Sequence, residues 1–322
     1  MMTRHCFLKL AAVAALTVGI GALVCRGALA ADPPFKVVAS FSILGDMVKT
    51  VGGERLQVTT LVGPDGDAHV FEPTPRDAQA IADAAVVFVN GLGLEEGWMP
   101  RLVEASGYKG PVVVTTKGIK PLKMEEEEDE HGKERASARE HGKPHMVDDP
   151  HAWQNLANGK VYVENILAGL SAADPAGAAT YKANAQAYLA EIDKLDAEVR
   201  AKLAAIPQAR RKIVTTHDAF QYFGRAYDVE FLAPEGISTE AEPSANDVAK
   251  LIKQIRSQKI TAVFFENMSD NRLLAQISKE TGAKIGGTVY SDALSPPDGP
   301  APTYLAMFRH NVQEFTHALA GS

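Results

Sequence analysis

The side chains that could do chemistry in this sequence are mostly imidazoles. Nine histidines occur, and five are set aside first. His5 lies in an N-terminal apolar segment, His131, His141 and His145 in a charged stretch, and His317 near the C-terminus. Of the other four, three share a context. His69 follows a strand-like run and the turn Gly63-Pro64-Asp65-Gly66, His151 follows Asp148-Asp149-Pro150, and His217 directly follows the run Lys212 to Thr216. Asp292 stands just past a run ending at Val289. Open α/β sheets bind ligands just beyond the carboxyl ends of their strands. Three imidazoles and one carboxylate form an N₃O donor set that suits Zn²⁺ in tetrahedral geometry. Taken singly, each histidine is more often a surface or hydrogen-bonded residue. Their wide spacing along the chain does not overturn that reading.

The elements that must position them alternate. Val37 to Phe41 and Val58 to Val62 read as strands, with a helical stretch from Ile43 to Val51 between them. Thr74 and Pro75 signal a helix start, as N-cap and first helical residue, for a helix to Ala84. Ala85 to Asn90 and Pro111 to Thr116 read as strands around a helical stretch from Glu95 to Ser106. This spacing suits βα units and a mostly parallel sheet. Residues 124–148 break the pattern with six consecutive acids, three histidines and no apolar periodicity, and read as a solvated loop. Helices are expected from Asn155 to Ala172 and from Pro175 to Ile206. In the second, Tyr188, Ile192, Leu195, Val199 and Leu203 fall on one face. At 1.5 Å per residue that helix would span roughly 48 Å, a strut joining two lobes.

Beyond Pro207 the alternation resumes. Strands are expected at Lys212–Thr216, Val229–Leu232, Ile260–Phe265 and Lys284–Val289. Helices are expected at Ala219–Tyr227, Ala245–Ser257 with Ser244 as cap, Asn271–Thr281 and Thr303–Leu319. The fold class is α/β: two (β/α) lobes joined by one long helix. The expected organisation is a leader over 1–30, a first lobe over 31–172, a linking helix over 173–206 and a second lobe over 207–322.

The residues flanking the four candidates narrow the reading. Asp67-Ala68-His69-Val70-Phe71-Glu72-Pro73-Thr74-Pro75-Arg76-Asp77 resembles the first ligand motif of the zinc/manganese solute-binding proteins of ABC transporters (cluster A-I). Asp149-Pro150-His151-Ala152-Trp153 resembles the second motif, and Thr215 to Phe223 the third. Ser238 to Ser244 is similar to a second-lobe signature, Tyr290-Ser291-Asp292-Ala293-Leu294 to the fourth motif, and Tyr304 to Asn311 to the closing helix. The resemblance runs in order along essentially the whole chain past the leader. It implies a metal buried between the lobes, held by His69 and His151 from the first and by His217 and Asp292 from the second. Members favouring manganese commonly carry Glu at the third position and zinc binders His, so His217 favours zinc. Imidazole is also a better partner for Zn²⁺ than for Mn²⁺. Some members with three His and an Asp accept either ion, which leaves Mn²⁺ as the alternative cargo. The acidic loop resembles the charged loop of zinc members, though with few histidines; it reads either as a solvated insertion or as a low-affinity metal collector. Asp218 and Glu266 are candidates to orient the imidazoles through their free ring nitrogens. Trp153 reads as a wall of the site, and Glu240 and Glu242 as structural, with Glu242-Pro243-Ser244 setting up a helix start.

Composition bounds the rest. The 322 residues carry 33 basic and 40 acidic side chains, a net charge of −7 without a basic block, which argues against nucleic-acid binding. The two cysteines, Cys6 and Cys25, lie in the first 30 residues, so neither a disulfide scaffold nor a thiolate zinc site is available to the rest. Arg4 and Lys9, the apolar run Leu10 to Val24 and Ala28-Leu29-Ala30 read as a signal peptide cleaved near Ala30. The run is short for a membrane span, and Val24 stands before Cys25 where lipid attachment wants a small residue. The expected protein is a periplasmic monomer that captures Zn²⁺ and delivers it to an ABC permease, with a periplasmic zinc chaperone as a further candidate partner. A manganese or iron carrier of the same family is the alternative. A zinc hydrolase is disfavoured, because four protein ligands close the position that catalytic zinc keeps open for water; no enzyme activity is expected.

Overall fold

The computed structural model describes residues 34–125, 146–240 and 243–320. Its first lobe runs β1 (Phe35–Phe41), α1 (Ser42–Gly52), β2 (Leu56–Val62), α2 (Pro75–Ala82), β3 (Val86–Val89), α3 (Met99–Ser106) and β4 (Val112–Val114). After β5 (Lys123–Glu125) and β6 (Met146–Asp148) come α4 (Leu156–Ala173) and α5 (Ala178–Ala204). The second lobe runs β7 (Lys212–Val214), α6 (Gln221–Tyr227), β8 (Glu230–Leu232), α7 (Ala245–Gln258), β9 (Ala262–Glu266), α8 (Arg272–Thr281), β10 (Lys284–Val289) and α9 (Tyr304–Ala320).

The two sheets have the same topology. The first is ordered β2-β1-β3-β4 and the second β10-β9-β7-β8, and every pairing in both is parallel. In each lobe the first strand lies between the second and the third, so successive crossovers leave it in opposite directions. That switch point opens a crevice at the carboxyl ends of the strands. The strands read as apolar runs because helices cover both faces: all four residues of β3 are buried, as are five of seven in β1.

The long helix is shorter than expected. Pro175–Gly177 forms a separate 3₁₀ turn, with the Asp174 side chain accepting from Gly177 N, and α5 proper starts at Ala178. Its 27 residues still span roughly 40 Å. Tyr181, Ala185, Tyr188, Ile192, Leu195, Val199 and Leu203 are buried along one face. α5 packs on α1 and α4 of the first lobe and on α6 and α9 of the second. One hydrophobic cluster runs from β1 and β3 through α4 and α5 to Phe220, Phe223, Phe231 and Phe315 of the second lobe. A smaller one fills the other face of the second sheet, under α7 and α8.

The charged stretch differs from expectation at its ends. Lys123–Glu125 and Met146–Asp148 pair as an antiparallel hairpin, with Lys123 opposite Asp148 and a salt bridge between them. Strands of three residues are too short to carry a period, so the sequence shows nothing of this stem. The loop's three histidines and most of its acids lie outside the described residues, as do the leader and Glu242.

Candidate metal centre

His69 and His151 are set by the same local device. Asp67 Oδ1 accepts the His69 backbone N–H at 2.8 Å, and Asp149 Oδ1 accepts that of His151 at 3.0 Å. In each Asp-x-His segment an aspartate side chain turns the chain two residues on. Pro150 between them is held by Asn90 Nδ2, which donates to its carbonyl at 2.9 Å. Tyr222 of α6 donates its hydroxyl to Asp149 O and accepts from Leu122 N, so a second-lobe side chain braces the hairpin stem and the His151 loop together.

His217 leaves the end of β7 and is fixed from β9. Glu266 Oε1 accepts the backbone N–H groups of Thr216 and His217, at 2.7 and 2.9 Å. Its Oε2 lies 2.6 Å from His217 Nδ1, close enough for an ion pair though off the line of a good hydrogen bond. Asp292 follows β10, and the carbonyl of neighbouring Ser291 accepts from Trp153 Nε1 and Gln154 Nε2. Trp153 is buried and also walls the site, 5.3 Å ring to ring from His151.

These four side chains meet at one point. His69 Nε2 lies 3.3 Å from His151 Nε2 and 3.1 Å from Asp292 Oδ2. His217 Nε2 lies 3.4 Å from His151 Nε2 and 3.1 Å from Asp292 Oδ2, and His151 Nε2 lies 3.6 Å from Asp292 Oδ2. One donor atom from each residue lies within 4.8 Å of all the others. A tetrahedron with metal–ligand bonds of 2.0–2.1 Å has edges of about 3.3 Å, so these separations are those of donors around one small cation. His151, His217 and Asp292 are wholly buried and His69 is 8% exposed. Asp292 Oδ1 is buried with no hydrogen-bond partner among the described residues.

The carboxylates around the site favour the charged forms of two of its imidazoles. Burial pushes the His151 imidazole down, but the Asp292 charge and the bond to Asp149 outweigh it and bring it up to about 9. Burial opposes protonation of His217 too, and is overcome by the Glu266 and Asp292 charges, which hold it well above the usual histidine range. Asp292, which burial alone would raise, is driven well below the carboxylate range by the two imidazoles. The site prefers positive charge at its centre, as protons or as a cation.

One orienting residue expected from sequence is misplaced. Asp218 accepts from Gln221 Nε2 at 2.6 Å and, among the described residues, makes no bond to an imidazole. The partner of His151 is Asp149, whose Oδ1 lies 2.8 Å from Nδ1; the Asp-x-His spacing shared with Asp67 was the available signal. Glu266 does stand where a ring-orienting carboxylate is needed. Ser244 caps α7, accepting from Asp247 N, and Glu240 is exposed.

Residues 37–318 match the family model described as the periplasmic zinc-uptake complex component A, ZnuA. The manganese-binding lipoprotein MntA of Halalkalibacterium halodurans is 35% identical over 285 residues, covering 88% of each chain. The iron-binding protein YfeA of Yersinia pestis is 35% identical over 312 residues, covering 95% of this chain and 94% of its own. The periplasmic zinc-binding protein TroA of Treponema pallidum superposes with a TM-score of 0.78 at 28% identity, over 89% of this chain and 99% of its own. A family match over most of the chain, relatives of full length and a shared two-lobed fold lead to one conclusion: the chain belongs to the ZnuA family of metal ABC transporter substrate-binding proteins, which bind solutes and are not enzymes.

Proposed function

We propose that this protein captures Zn²⁺ outside the cytoplasm through His69, His151, His217 and Asp292 and hands it to the permease of a zinc-uptake ABC transporter. The observation that carries this reading is the donor geometry: three Nε2 atoms and one carboxylate oxygen in a buried pocket, all within 4.8 Å of one another and with five of their six separations between 3.1 and 3.6 Å. Three imidazoles favour a borderline ion over a hard one. The leader is cleaved near Ala30 on this reading, and the acidic loop gathers cations for the main site. Among the described residues no helix is long and apolar enough to cross a membrane. Substrate-binding components of this kind work with a membrane permease and its ATPase; a zinc chaperone is a further partner on the present proposal.

A manganese or iron cargo is the second reading. It is favoured by the relatives named for those ions and by the free Asp292 Oδ1, which offers a second hard oxygen. Metal analysis of protein purified without added metal, followed by competition among Zn²⁺, Mn²⁺ and Fe²⁺, separates the two. Zinc should win by several orders of magnitude at one ion per chain. Retention of manganese against equimolar zinc would reverse the assignment.

A further inference from the structure

The loop that carries His69 belongs to the first lobe but is fastened to the second. Asp67 uses both carboxylate oxygens: Oδ1 accepts the His69 backbone N–H, and Oδ2 accepts the Thr239 hydroxyl at 2.6 Å. Two residues earlier, Asp65 N donates to Leu294 O at 3.0 Å, and Asp65 Oδ1 accepts from Asn267 Nδ2 at 2.8 Å. Asn267 adjoins Glu266, which holds His217, and Leu294 lies two residues past Asp292. The first-lobe loop is thus tied at three points to second-lobe segments, one of them two residues from Asp292 and one adjoining the carboxylate that holds His217.

The four metal-facing side chains are unequally held. His151 and His217 are wholly buried, each with a carboxylate at both its backbone and its ring. The segment bearing Asp292 is fixed through the Ser291 carbonyl, which takes two bonds from the opposite lobe. His69 alone reaches the surface, next to Val70 at 48% exposure, and among the described residues no carboxylate sits on its Nδ1. An ion leaving a four-donor site must first lose a ligand, and the one free to withdraw is His69. Withdrawing it means moving Asp67, and Asp67 is held across the cleft by Thr239.

We propose that the Thr239–Asp67 hydrogen bond, seconded by Asn267 on Asp65, is a latch on the His69 loop that sets how fast the metal enters and leaves. The inference rests on the metal-site reading above and names the path and the positioning residue that reading leaves open. Thr239 touches no donor atom of the site. It acts through Asp67 on the freedom of His69, so it governs rates more than affinity. Both oxygens of Asp67 accept hydrogen bonds within the protein, so no metal ion is among the groups that hold the latch.

Release of Zn²⁺ to excess chelator, followed by stopped flow, tests this. Thr239→Val keeps the shape and removes the hydroxyl; release and capture should both quicken about tenfold while Kd moves less than threefold. Thr239→Ser, which keeps the hydroxyl, should return both rates to the wild-type values. Release from the valine variant within twofold of wild type would overturn the proposal, as would a loss of affinity that serine does not repair. Amide exchange in the metal-free protein reads the same latch without any ion. Protection at residues 65–69 should fall in Thr239→Val and not in Thr239→Ser, with β9 unchanged; equal protection in all three proteins would also sink it. Should the wild type fail to bind metal, the metal-site reading falls, and the exchange measurement still decides the latch.

Discussion

Asp149 holds His151 twice with one oxygen, through the backbone N–H at 3.0 Å and the ring Nδ1 at 2.8 Å. The bond to Nδ1 makes that nitrogen the donor, so Nε2 of the neutral ring presents its lone pair to the site. Carboxylate partners of this kind also raise ligand basicity, and losing one typically costs 10–100-fold in metal affinity. Asp149→Asn keeps an acceptor and removes the charge. It should lower Zn²⁺ affinity by about tenfold or more in chelator competition. Affinity equal to wild type would show that the carboxylate does nothing for the metal.

The third position is coupled to β9. His217→Glu exchanges a borderline nitrogen for a hard oxygen and should favour Mn²⁺ relative to Zn²⁺. The new carboxylate would face Glu266, whose Oε2 stands 2.6 Å from the present imidazole nitrogen. Like charges so close disfavour each other's ionised form, so the single variant should bind both ions poorly. Pairing it with Glu266→Gln should restore binding, with a Zn²⁺/Mn²⁺ affinity ratio at least about tenfold below wild type, a difference of about 1.4 kcal/mol. A double variant with an unchanged ratio would refute the role given to His217.

Metal capture should expel protons. With His151 brought up to about 9 and His217 held well above its ordinary range, both rings are protonated at neutral pH before the ion arrives. Ligation needs neutral imidazoles, so binding strengthens as pH rises toward 9 and weakens as it falls. Calorimetry in buffers of different ionisation enthalpy should show net proton release at pH 7. A heat independent of buffer would contradict this.

One of the ties between the lobes is titratable. Asp46 on α1 accepts the backbone N–H of Tyr304, the first residue of α9, at 2.8 Å. Burial raises this carboxyl to about 6, against the lowering pull of the Tyr304 bond and of Lys49. Its folded-state value exceeds the unfolded one, so protonation favours the folded state. The resulting destabilisation sets in as pH rises from about 4 to about 6 and stays constant above that. Asp46→Asn keeps an acceptor for Tyr304 and should stabilise the protein by on the order of 2 kcal/mol at pH 8, with the gain vanishing near pH 4. Thermal melts across that range would show it, and a gap independent of pH would refute it.

What the sequence disclosed follows from the range of the interactions involved. Val86–Val89 is legible as a buried strand and α5 as a one-sided helix because burial writes a period into neighbouring residues. The four converging side chains stand out in the sequence through flanking motifs that resemble the family's, and two of those flanking residues, Asp67 and Asp149, shape their own loops. Less is legible where the partner is remote or the segment polar. Glu266 grips His217 from 49 residues away, and the β5–β6 stem pairs across the acidic stretch. Asp218, adjacent to His217 in sequence, instead accepts from Gln221. Glu95 was expected within a helix. It is buried in the preceding turn, accepting from Ser40 Oγ, Asn90 N and Gly91 N, a role its polarity concealed.

The hairpin stem gives a clean way to remove the acidic loop. Lys123, Met124 and Glu125 pair with Asp148, Val147 and Met146, so the chain between Glu125 and Met146 can be replaced by a short Asn-Gly turn without disturbing Asp149 or His151. The segment removed holds five of the six consecutive acids and His131, His141 and His145. Equilibrium affinity at the main site should stay within about tenfold, because the four converging donors lie outside the loop. Capture at low salt should slow, since clustered negative charge raises the local cation concentration and added ions screen that effect. Any weaker second binding event seen by calorimetry should disappear. Stopped-flow capture rates across a salt series test this: the shortened protein should be slower at low salt and converge with wild type at high salt. If the shortened protein folds and the tight site is lost, the loop must supply a ligand, most directly His145, and the assignment of His151 would have to be given up.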